Sequence, residues 1–264
     1  DNMKAWFLGN GFDKVIDQPK MKDPSFVGTW GICDEEVVGY ADAEFRRLYK
    51  AKIPFMSVVF STSNHMPFDF PDGKIELVKG VEKKSVKNAI KYADFAIAEM
   101  IKSAKVGEYY KDTIFLIVSD HNVRVYGQDP LPVNMFHVPG LILGGGVKAS
   151  SYDKISTQPD IIATTLDLVG ADFTYPIMGH SIFSEHKQEL SFMQFNNTYA
   201  LMIKDKVAVL RPGKEANTYR YSRDTSLKIE DKHLINEEHD EELEKDVLAF
   251  ILVLNHLYEK KLYR

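Results

Sequence analysis

Thr113-Ile114-Phe115-Leu116-Ile117-Val118-Ser119-Asp120-His121 is an unbroken apolar run that ends on a carboxylate and an imidazole. Preceded by the polar Lys111-Asp112, it reads as a strand buried on both faces, the kind that forms the parallel sheet of an α/β domain. Ligands of open α/β sheets bind beyond the carboxyl ends of the strands, which is where Asp120 and His121 stand. An adjacent carboxylate and imidazole at a strand-to-loop bend can reach one divalent cation, although an Asp-His pair after a strand is also ordinary surface.

The residues before this strand supply its neighbours. Val86, Ile90, Ala93, Ile97, Met100 and Ile101 recur at three and four, which predicts a long amphipathic helix over 85–105 leading straight into the central strand. Phe55-Met56-Ser57-Val58-Val59-Phe60 reads as a second buried strand, running into Ser61-Thr62-Ser63-Asn64-His65. Strand, helix, strand is a crossover unit. A right-handed crossover puts both strand ends on one edge of the sheet and brings His65 toward Asp120 and His121. Closer to the start, Met3, Phe7 and Leu8 predict a helix stopped by Gly9-Asn10-Gly11, and residues 12–16 resemble a short strand. Gly28-Thr29-Trp30-Gly31 brackets a tryptophan between glycines, as a core anchor or as a binding surface. Asp34 then suits the N-cap of a helix whose apolar stripe is Val37, Val38, Ala41, Phe45 and Leu48.

Beyond the central strand, 122–132 is a polar loop, and His137 precedes a short strand that ends in Gly144-Gly145-Gly146. That triplet lacks the Gly-Lys-Ser/Thr ending of a phosphate loop and reads as a turn. Thr157-Gln158-Pro159-Asp160 opens a helix over 161–169, with Pro in its first turn, Asp160 complementing the dipole and Gly170 past its end. From about 191 the texture changes to short alternating segments, 199–203 and 206–210, joined by Lys204-Asp205 as in a hairpin. Leu243, Val247, Phe250, Ile251, Leu254 and Leu257 define a terminal amphipathic helix with an acidic start and the basic Lys260-Lys261 at its end.

The chain of 264 residues is 44% hydrophobic, enough for a sizeable core. Its net charge of −5, without a Lys/Arg block, leaves a nucleic-acid partner no electrostatic footprint. A single cysteine, Cys33, excludes an internal disulfide and a multi-Cys metal site. No apolar run approaches the ~18 residues of a membrane span.

These motifs, in order, resemble the later part of the extracytoplasmic catalytic domain of the lipoteichoic acid synthase group, phosphoglycerol transferases of the sulfatase and alkaline phosphatase superfamily. The series is Gly28-Thr29-Trp30-Gly31 with Asp34-Glu35, Thr62-Ser63-Asn64-His65-Met66-Pro67-Phe68, Tyr92-Ala93-Asp94, Ser119-Asp120-His121, His137-Val138-Pro139, and Gln158-Pro159-Asp160 before Leu166-Asp167-Leu168-Val169-Gly170. The resemblance implies an alkaline phosphatase-like α/β fold over residues 1–190, a largely parallel sheet with flanking helices. A small antiparallel hairpin and helix follows over 191–264.

It also implies one divalent cation, usually manganese, with Asp120 and His121 among its ligands. His65 would be the donor to a phosphate or leaving-group oxygen, Trp30 would line a headgroup pocket, and His137 would join the substrate site. The reaction implied is phosphodiester transfer through a phospho-threonine, in a bacterial cell-envelope protein tethered to the membrane outside this chain. The family's Glu ligand and Thr nucleophile match no position here. Thr29, Thr62 and Ser63 are the hydroxyls nearest the motifs, and none corresponds to the nucleophile. The expectation is therefore a missing upstream segment on the order of 100 residues, with residues 1–264 inert on their own. A sulfatase or phosphoethanolamine transferase relative acting on a sulfate or phosphate ester, and a non-catalytic binder of an anionic headgroup or glycan, remain as alternatives.

Overall fold

The predicted 85–105 helix forms as α3, Val86–Lys105, with Ser85 accepting from the Asn88 backbone as its N-cap. The computed structural model describes residues 3–122, 127–172, 174 and 176–262. These divide between two units, Asp1–Thr113 and Ile114–Arg264. The polar loop expected over 122–132 includes residues 123–126, which lie outside the described residues.

In the first unit α1 is Met3–Gly9 and α2 is Asp34–Lys50. The two-residue strands β1, Val27–Gly28, and β2, Gly31–Ile32, pair antiparallel around Thr29-Trp30. The 3–4 spacing of Ala89, Tyr92, Ala93 and Ala96 turns one stripe of α3 inward, and all four side chains are buried. Tyr92 stacks on Phe70 with centroids 5.1 Å apart, in a cluster that includes Cys33. α2 is tied to α3 by a polar node: the buried Asp42 carboxylate accepts from Tyr109, from Arg46 Nε at 2.8 Å and from Ser103 Oγ at 2.9 Å. Burial alone would raise the Asp42 pKa, but these three donors outweigh it and hold the carboxyl below its ordinary value.

Three expectations for this unit change. Residues 12–16 form no strand. Residues 55–60 join no sheet, and Met56, Val58, Val59 and Phe60 are exposed. An apolar run becomes a buried strand only when neighbours supply a ladder and cover both faces, and the described residues provide neither for 55–60. The N-cap of α2 is Cys33 rather than Asp34, whose buried carboxylate turns instead to the backbone of Thr62 and Ser63.

In the second unit the central run forms β3, Ile114–Val118, paired antiparallel with β4, Gly140–Gly144. All strand pairs among the described residues are antiparallel, so the expected parallel sheet is not among them. The register sets Val118 opposite Gly140, so the end of β3 and the start of β4 share one edge. α4, Gln158–Leu168, packs against this pair. A Cβ on Gly140 would lie 2.8 Å from Ile161 Cδ1, so a side chain there would need the tip of Ile161 to shift.

The expected hairpin is two strands of a larger meander: β5 Leu190–Phe195, β6 Thr198–Ile203, β7 Lys206–Leu210, β8 Asn217–Tyr221 and β9 Leu234–Asn236, five strands in sequence order. Period-two alternation sends Val207 and Val209 to one face, with Leu131 and Val133. Leu201 and Ala208 face the other way, toward Leu243 and Val247 of the terminal helix α5, Glu241–Glu259. Among the described residues no helix is long and apolar enough to cross a membrane.

The start of α4 is fixed by a buried ion pair, Lys187 Nζ to Asp160 Oδ2 at 3.2 Å, with side chains only 4% and 6% exposed. Asp160 Oδ2 also accepts from Thr157 N and Oγ1 in a capping box, and Oδ1 accepts from His180 N at 2.9 Å. Lys187→Met strands this carboxylate in a dry site. It should lower the unfolding free energy of the protein by about 3 kcal/mol in urea denaturation, as breaking buried pairs does. A loss below about 1 kcal/mol would show that the pair behaves as a surface contact.

Candidate functional site

At the end of β3 the chain bends, and its own side chains hold the bend. Ser119 Oγ donates to His121 O at 2.7 Å, and His121 N donates to Asp120 Oδ1 at 2.8 Å. His121 Nδ1 lies 2.9 Å from Asn122 O. A carbonyl only accepts, so Nδ1 carries a proton at this contact and Nε2 is the ring nitrogen left to face Asp120. Nε2 stands 3.5 Å from Asp120 Oδ2, and both side chains are open to solvent, at 71% and 72% exposure.

The donor set suits a hard divalent cation. Ligands about 2.1–2.4 Å from such an ion and roughly at right angles sit about 3.0–3.4 Å apart. A backbone carbonyl fixing the far nitrogen is the usual support of a metal-binding histidine. Two donors do not close a coordination shell, and among the described residues no group of three or more His, Cys, Asp or Glu side chains gathers to hold a metal. His137 is exposed and three residues ahead of Gly140, so the register puts it at the same sheet edge as Asp120 and His121. Gln158, the first residue of α4, donates through Nε2 to Ser119 O at 2.6 Å and to Asp120 O at 2.9 Å. The sequence marks Gln158 as part of a helix start; the reach of its side chain to another segment is not encoded in local spacing.

In the first unit, Trp30 and His65 come together. Their rings stack with centroids 4.2 Å apart at 22°, and Trp30 Nε1 donates to Met66 O at 2.8 Å. Trp30 remains 53% exposed, so it is a surface platform and not a core anchor. Two carboxylates hold this arrangement, Asp34, which the sequence offered as a helix cap, and Asp69, which it did not mark. Asp34 Oδ1 accepts from Thr62 N at 2.6 Å and Ser63 N at 3.2 Å, which fixes the turn in which His65 N bonds Thr62 O. Asp69 Oδ2 accepts from Thr29 N at 3.1 Å and Thr29 Oγ1 at 2.7 Å, while Lys84 Nζ lies 2.9 Å from Oδ1. The glycines flanking Trp30 are required: a Cβ on Gly28 would come within 2.8 Å of Asp69 Cβ, and Gly31 has φ +129°.

The Sulfatase family profile matches residues 1–171. Phosphoglycerol transferase I of Salmonella typhimurium is 23% identical over 236 residues, covering 84% of this chain and 30% of that protein. Lipoteichoic acid synthase 2 of Bacillus subtilis is 26% identical over 159 residues, covering 53% of this chain and 24% of that protein. A solved protein of the alkaline phosphatase superfamily from Vibrio parahaemolyticus superposes with a TM-score of 0.92 at 35% identity, over 99% of this chain and 63% of that one. The chain thus spans under a third of the length of these curated relatives.

The Lys84 ammonium first, then the Thr29 hydroxyl and amide, pull the Asp69 carboxyl from its ordinary 3.8 to about 2. A depressed carboxyl contributes stability that is complete above its unfolded pKa and is lost as pH falls through the folded one. The stability difference between the protein and Asp69→Asn, roughly 1 kcal/mol near neutral pH for a pair whose Lys84 end is solvated, should shrink from about pH 4 downward. Urea denaturation between pH 6 and pH 3 reads this. A difference that is flat or grows over that range would contradict the assignment.

Proposed function

Because the chain belongs to the sulfatase family, we propose that it carries part of the catalytic domain of a cell-envelope phosphotransferase or hydrolase acting on a phosphate ester, with a phosphodiester of the phosphoglycerol type as substrate. The observation that carries this reading is the approach of Asp120 Oδ2 and His121 Nε2 to 3.5 Å at the end of an apolar strand. Asp120 and His121 hold one divalent cation, manganese by family resemblance, which when bound polarises a phosphate oxygen and a hydroxyl nucleophile. The remaining ligands and the threonine nucleophile of the implied mechanism correspond to no residue of this chain.

The other site residues act on substrate. His65, held by the Thr62 turn and stacked on Trp30, donates a hydrogen bond or proton to a phosphate or leaving-group oxygen. Trp30 offers an exposed aromatic face to the headgroup. His137 lies at the strand edge of Asp120 and His121 as a further substrate contact. The extended parallel sheet of the alkaline phosphatase-like fold, and a membrane tether outside residues 1–264, belong to the same proposal.

Manganese titration by calorimetry and turnover of a glycerophosphodiester by the full-length gene product test these roles. Asp120→Ala should abolish measurable manganese binding and turnover together. His65→Ala should lower kcat by about 100-fold or more, the usual cost of a lost general acid or oxyanion donor, with manganese affinity unchanged. Loss of metal in His65→Ala would move His65 to the metal shell. Preferred cleavage of a sulfate ester would replace the phosphodiester substrate, and binding of either ester without turnover would make the domain a binder.

A further inference from the structure

We propose that Gln158 is the positioning residue of the Asp120–His121 pair, an inference that rests on the metal reading above. The capping box and the buried Asp160–Lys187 pair explain why α4 begins where it does, and neither uses the Gln158 side chain. That side chain instead leaves the helix start and donates to two consecutive carbonyls, Ser119 O at 2.6 Å and Asp120 O at 2.9 Å. The carbonyls belong to the peptide units on either side of Asp120, so one amide group fixes the orientation of the residue that supplies the carboxylate. It also fixes the point from which His121 departs.

The anchor behind Gln158 is rigid for a physical reason. Asp160, two residues on, is held by Thr157, His180 and Lys187 on three separate segments. Gly179 passes so close to the helix start that a Cβ there would lie 2.4 Å from the Pro159 carbonyl carbon. A ligand pair exposed at a bend gains from such support, because each donor must stay within a few tenths of an ångström of its place when the cation arrives. Lys187 makes further bonds to the Ile155 and Gln188 carbonyls, so the cationic end of the clamp is itself immobilised. The chain of support therefore runs from a buried charge pair, through the first turn of α4, to the backbone of the metal pair.

Gln158→Met keeps side-chain length and helix propensity while deleting both donors. The capping groups are untouched, so thermal unfolding should change little, as for a surface substitution. Two measurements read the proposal in the ¹⁵N-labelled full-length gene product. Without metal, amide exchange of Asp120 and His121 should speed up in Gln158→Met, while amides of β6 and β7 stay as they were. With manganese, the concentration that broadens the 119–122 amides should rise by roughly 10- to 100-fold, the usual penalty for losing a support of metal ligands. Equal broadening in the two proteins overturns this proposal alone, as does unchanged exchange at Asp120 and His121. No broadening even in the unsubstituted protein overturns the metal reading and the proposal with it. A large fall in melting temperature would show that Gln158 is a stability residue and not a positioning one.

Discussion

One buried carboxylate governs the second unit's site. Asp160 receives donors from the segment before α4, from the strap at residue 180 and from Lys187, in surroundings where an unpaired charge costs several kcal/mol. That cost lets the charge pair define a single arrangement, since any other packing leaves an ion bare. With the first turn of α4 settled, Gln158 is aimed at the carbonyls of Ser119 and Asp120, and the exposed end of β3 acquires a definite shape. The exposed chemistry of Asp120 and His121 depends on a buried interaction on another element.

The first unit uses the same device twice. Asp34, expected as a helix cap, is drawn off by the amides of Thr62 and Ser63, whose turn places His65. Asp69 grips Thr29 and thereby the loop that carries Trp30. In both cases an acidic side chain satisfies backbone N–H groups of an irregular segment, donors that a strand or helix would otherwise have paired. Loops that present side chains to solvent need such outside partners to keep one conformation.

How much of this was readable beforehand follows from what local pattern encodes. The 3–4 periodicity of Val86 to Ile101 and the capping signature at 157–160 are local, and both helices form, but α3 buries Ala89, Tyr92, Ala93 and Ala96 and leaves Ile90 of the expected stripe exposed. β3 forms where it was read, but among its residues only Phe115 is buried and Val118 is exposed, and its partner β4 runs antiparallel, because an apolar run states neither its cover nor its direction. Residues 55–60 have the composition of a core strand and lie outside any sheet, since strand formation depends on neighbours that composition cannot supply. The terminal hairpin is part of five strands, of which β8 and β9 escape an apolar-alternation reading because they carry polar residues such as Asn217, Arg220 and Asn236. Among the candidate site residues, the Asp-His pair and His65 were singled out by residue type and order alone. Asp34, Asp69 and Gln158 act over 28 to 40 residues of sequence separation and left no local signal.

The central claim is that the end of β3 carries the cation. Anomalous diffraction at the manganese edge from crystals of the full-length gene product grown with manganese tests it most directly. One peak is expected within about 2.0–2.6 Å of both Asp120 and His121, with Nε2 as the histidine donor. A peak elsewhere, with Asp120 and His121 engaged only with protein atoms, would contradict it.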